Sequence, residues 1–148
     1  MLQQLQDHHR WMLALLKESA PLLQDPTLRP SEAFLATRRS AMGRLLVSYQ
    51  QFVHREVFDP IIASGNAATA AWARTLKSDC IDLTESFRAY QRLWMAKDPA
   101  EFWDEYHRAA EHMVERLERH IADVAEIARE IPAVTPLSAS RAEPQREG

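Results

Sequence analysis

His120 stands in an otherwise apolar line. Over residues 102–131, Tyr106, Ala110, Met113, Leu117, His120, Val124, Ile127 and Ile131 recur at alternating steps of three and four. That spacing keeps side chains on one face of an α-helix. An imidazole on a buried face needs a hydrogen-bond partner or a metal ion, because burying it unpaired is costly. His120 therefore reads either as a core histidine bonded to a carboxylate or hydroxyl across the interior, or as a metal ligand.

Other groups share its chemistry. Near the start, Leu5, His8, Met12 and Leu15 form one stripe, and Leu2, Leu5, His9, Met12 and Leu16 form an overlapping one. Both histidines border the inner face, and the spacing does not choose between them. Further on, Met42, Leu45, Leu46, Tyr49, Phe52, Val53 and then Glu56 or Val57 line one face, as do Trp72, Leu76, Cys80, Leu83, Phe87, Tyr90 and Trp94. The inward-capable set is His8, Tyr49, Cys80 and His120. Nitrogen and sulfur donors in that mixture suit zinc or ferric iron in a mononuclear site. The set contains no bridging acid: Val53 stands one turn after Tyr49, Val124 one turn after His120, and Asp123 and Glu126 flank the stripe. Cys80 also reads as a small buried hydrophobe, and Tyr49 as a core aromatic with its hydroxyl bonded. His54, His107 and His112 lie off the stripes, where solvation is expected. Trp11 and Trp103 fit the stripes less well, so either would mark an exposed patch for a protein partner.

Four helices must position these groups. The first covers residues 2–18. Residues 19–30 hold three prolines and read as a connecting loop. Ser31 caps a second helix over 32–62, whose last turn Pro60 could kink. Gly65 at the C′ position and Asn66 as a cap separate it from a third helix over 67–95. Asp98-Pro99-Ala100-Glu101 has the form of a helix start, with a capping Asp, Pro at N1 and an acid at N3. The fourth helix follows and stops before Pro132. Long helices with mostly short loops make an all-α, antiparallel up-and-down four-helix bundle over 1–131. Residues 132–148 lack periodicity and read as a disordered tail.

The 148 residues make one domain with room for a sizeable core. Three glycines argue against a strand-and-turn architecture. A net charge of −3 gives no reason to expect nucleic acid. A lone cysteine excludes an intrachain disulfide. The chain starts without the layout of a secretion signal and holds no apolar run of membrane length, so a soluble cytoplasmic protein is expected. No nucleophile–base pair, paired inward carboxylates or phosphate-cradling loop stands out, so no catalytic or cofactor-binding residue is assigned and a non-enzyme is expected.

Asp7-His8, "REVFDPIIASG" (55–65), "LTESFRAYQRLW" (83–94) and "AEFWDEYHRAAEHMVERLERHIADVAEIAREIP" (100–132) together resemble the hemerythrin-like, HHE cation-binding domain family over residues 5–131. The resemblance implies a four-helix bundle and a di-iron site on its inner faces. Carried over residue by residue, it puts the first-helix His at His8 and the third-helix His at about Cys80. The second-helix His and Glu fall at Tyr49 and Val53, or the Glu at Phe58 if the helix is anchored on His54. The fourth-helix pair falls at His120 and Val124. His8 and His120 match; both bridging carboxylates are gone. The chain then reads as a divergent member with an eroded di-iron site, at most a residual iron or zinc site, and a regulatory or sensing role. The other class open to it is a metal-free four-helix module that binds another protein, as some anti-sigma regulators do.

Overall fold

A computed structural model describes residues 1–25, 27 and 30–131. The stretch 132–148, expected as a disordered tail, lies outside them. Helices occupy Leu2–Gln24 (α1), Glu32–Val53 (α2), Asp59–Ser64 (α3), Ala67–Ala96 (α4) and Trp103–Ile127 (α5). A π-helical turn, His54–Phe58, joins α2 to α3, so these three pieces form one bent rod. Four rods result, without strands among the described residues.

Side-chain pairs fix the topology. His9 near the start of α1 meets Tyr49 near the end of α2, and Glu18 near the end of α1 meets Arg38 near the start of α2. Gln91 of α4 reaches the Arg39 carbonyl, while Lys77 of α4 bonds Asp59. Lys97 and Glu105 close the connection between α4 and α5, and His107 of α5 returns to the Leu22 carbonyl of α1. Neighbours around the ring are antiparallel throughout, as the stripes require.

The stripes are the core. Leu5, His9, Met12 and Leu16 of α1 are buried, which selects the second of the two overlapping faces. Met42, Leu46, Tyr49 and Val53 of α2 and Leu76, Cys80, Leu83 and Phe87 of α4 pack against Met113, Leu117, Val124 and Ile127 of α5. Leu35, Trp94, Trp103 and Tyr106 form a second cluster at one end.

Caps follow the side-chain chemistry. Ser31 accepts from the Phe34 N–H at 3.1 Å, and Asn66 accepts from the Thr69 N–H at 2.8 Å. Gly65 ends α3 with φ −76°, away from the left-handed region. A Cβ there would stand 2.6 Å from the Ile61 carbonyl oxygen, so close approach is what requires glycine.

Four expectations need correction. α1 runs past Ser19 and through Pro21 to Gln24 instead of giving way to a loop. Proline costs that turn one hydrogen bond, but Leu22 packs on the second cluster and its carbonyl takes the His107 Nε2 contact. The segment at Asp98 is a turn and not the first turn of a helix: Asp98 Oδ1 accepts from the Ala100 N–H, Phe102 leaves helical geometry at φ −123°, ψ 49°, and α5 begins at Trp103. Trp103 is buried in the second cluster, so of the two off-stripe tryptophans Trp11 alone is exposed, at 50%. His54 and His107 are half-buried, whereas His112 is exposed as expected.

Candidate functional site

Three rods converge on a histidine–tyrosine cluster. His9 Nε2 lies 3.0 Å from the Tyr49 hydroxyl, and both groups are buried. His120 stands edge-on to the Tyr49 ring with centroids 5.9 Å apart. His8, the residue expected as ligand, sits outside His9 at the rim, against Phe52 and Trp11, with its ring centroid 5.9 Å from that of Tyr49. One helical position decides this: the buried stripe of α1 passes through residue 9. Cys80 is 1% exposed and close enough to Tyr49 for a charge on one to oppose a charge on the other.

His120 does not behave as a core histidine with a partner across the bundle. Its Nε2 is buried and makes no hydrogen bond; the same holds for His54 Nε2 and His8 Nδ1. The π turn accounts for His54. Pro60 has no N–H to give, and its ring crowds the carbonyl four residues back, so a strict α register cannot run through it. The Asp59 N–H instead reaches the His54 carbonyl, five residues back. The extra residue turns position 54 toward the interior, and Val57 and Phe58 both bury behind it. Pro60 was the available signal in the sequence.

Burial dominates the electrostatics. It pushes His9 down to about 4, helped by the nearby His8. It pushes His120 down to about 4, helped by His9, Arg116 and His54. Burial likewise lowers His54, assisted by Lys77 and opposed by Asp59, and lowers His8 against the pull of Asp7. The Cys80 thiol is pushed up to about 12 and stays protonated, and burial holds the Tyr49 phenol well above its usual range. The cluster is thus neutral, with the His9–Tyr49 bond inside it and imidazole nitrogens as its available donors to a ligand.

A di-iron centre does not fit it. Two irons must share carboxylate oxygens, and no Asp or Glu among the described residues is buried. Nor do three or more His, Cys, Asp or Glu side chains among them come together in an arrangement able to hold a metal ion.

A second polar feature escaped the sequence reading. Arg39 is 6% exposed, bonding Glu32 at 2.8 Å, the Tyr106 hydroxyl at 3.3 Å and the Trp94 carbonyl at 3.4 Å. Extending the α2 stripe backward from Leu46 gives Met42, Arg39 and Leu35, at steps of four, three and four, so the position was legible as inward-facing. Burial opposes the charge on Arg39, but its bonds to Glu32 and Tyr106 outweigh that and raise its pKa.

No family model, curated protein or solved structure matches the chain. No helix among the described residues is long and apolar enough to cross a membrane.

Proposed function

We propose that this chain is a hemerythrin-like bundle that has exchanged its di-iron centre for a neutral histidine–tyrosine cluster, and that it acts as a cytoplasmic regulatory or sensing protein by binding and not by catalysis. One observation carries the reading: His9, Tyr49 and His120 are buried inside the bundle, and no Asp or Glu among the described residues is buried with them. The all-α four-helix bundle is compatible with the resemblance. The regulatory role follows from that resemblance, and exposed Trp11, beside half-buried His8, offers a surface for another protein.

A second reading is a residual mononuclear site. It is favoured by the unpartnered nitrogens of His54 and His120, which a zinc or iron ion could engage once the side chains turn toward it. Metal analysis and the visible spectrum of freshly purified protein test both. The first reading expects substoichiometric metal and no absorption bands from bridged iron. One metal per chain, lost when His120 is replaced by Leu, would establish the second. Two irons per chain would overturn both.

A further inference from the structure

The half of the bundle away from the histidine cluster holds a partly open cavity of about 70 Å³ between α1, α2, α4 and α5. That is about half of the roughly 150 Å³ in which a benzene ring is held, so the space suits a molecule of only a few heavy atoms. Leu16, Leu35, Met42, Phe87, Tyr90 and Tyr106 supply apolar and aromatic wall. Two arginines, Arg38 and Arg39, also border it. Arg39 is buried and anchored by Glu32, Tyr106 and the Trp94 carbonyl. Arg38 pairs with Glu18 through its terminal nitrogen and lies over the Phe34 ring, but its Nε is buried without a hydrogen-bond partner.

An apolar chamber of this size with a desolvated cationic donor at its edge selects a particular ligand. A neutral hydrocarbon would leave the Arg38 Nε–H unpaired, which is costly. A carboxylate would pair it and gain a charge-assisted hydrogen bond in a water-poor setting. Glu18, the acid now opposite Arg38, is half-exposed, and an ion pair with a partner at the surface is weak enough to open. We propose that the cavity binds a small monocarboxylic acid with a short alkyl tail, its carboxylate on Arg38 and its tail against the aromatic wall. This inference stands independently of the metal question.

The test titrates the full chain with propanoate and butanoate, and separately with propanamide and butanamide, following tryptophan fluorescence; Trp103 lines the cavity. The acids should saturate, and the amides should bind at least about tenfold more weakly, the scale of one charge-assisted hydrogen bond. Arg38→Gln should bring the acids down to the affinity of the amides. Ala110→Leu, at another lining position, fills the space and should abolish binding of both. The second variant keeps the test decisive if Arg38→Gln fails to fold. Lack of saturation by the acids, equal binding of acid and amide, or undiminished acid binding by either folded variant would overturn the proposal.

Discussion

His9 and His120 are neutral because they are buried, and that neutrality has a consequence in acid. In the folded protein each resists protonation until about pH 4, against an ordinary value of 6.5 for the unfolded chain. Between those limits the unfolded chain takes up protons that the folded one refuses, so the contribution to stability is complete above pH 6.5 and declines as pH falls toward 4. Each imidazole would account for about 3 kcal/mol over that window, at about 1.4 kcal/mol per pH unit. Urea unfolding from pH 7 to pH 4.5 should show the loss, and His120→Leu should make the curve measurably flatter; an unchanged slope would remove His120 from the account. Tyr49→Phe is the complementary change. It deletes the partner of His9 Nε2 in a position where water has no access, and should cost about 1–3 kcal/mol at pH 7. Which of His8 and His9 faces inward was not legible in the sequence, because the first-helix stripes overlap and differ by one residue. Their separation comes from packing against Tyr49, a contact between residues forty positions apart.

The helical elements were legible where local chemistry decides their ends. Ser31 and Asn66 cap as their side chains dictate, and replacing Asn66 by Ala should lower stability by about 1 kcal/mol in the same urea assay. The sequence misleads where distant contacts override local rules. Pro21 marks a break by propensity, yet Leu22 and His107 hold the chain helical to Gln24. Asp98-Pro99 has the composition of a helix start, but burying Trp103 beside Tyr106 sets the beginning of α5 five residues beyond Asp98. The π turn is the element with the most bearing on the cluster. If Pro60 is what forbids an α register, Pro60→Ala restores the N–H that can bond Glu56, and the turn should relax. His54 would then rotate outward, and its imidazole, now lowered by burial, should titrate nearer its ordinary value. Proton NMR of the histidine ring resonances reads this directly. A His54 titration identical to wild type would mean that packing of Val57 and Phe58, and not Pro60, holds the turn.

Across the whole molecule, polar function is divided between the two halves of one bundle. One half holds the neutral cluster of His9, Tyr49 and His120; the other holds Arg39 and the cavity beneath Trp103 and Tyr106. The bundle architecture was legible because every inner stripe keeps its period; the stripe also places residue 39 inward, but what lets a charge stay there, the contacts with Glu32, Tyr106 and Trp94, comes from distant parts of the chain. Leu16, Met42, Phe87, Met113 and Leu117 belong to the main core and also line the cavity, so both halves share side chains. Shared side chains make independent melting unfavourable: opening one half strips apolar neighbours from the other. Unfolding followed by tryptophan fluorescence in a Trp11→Phe, Trp72→Phe background, which leaves Trp94 and Trp103 at the arginine end, should therefore coincide with unfolding followed by the ring resonances of His9 and His120. Tyr49→Phe, a lesion confined to the histidine half, should shift both transitions by the same amount. Two separated transitions, or a shift confined to the histidine signals, would mean that the halves fold as distinct units and that a ligand at the arginine end could not be felt at the other.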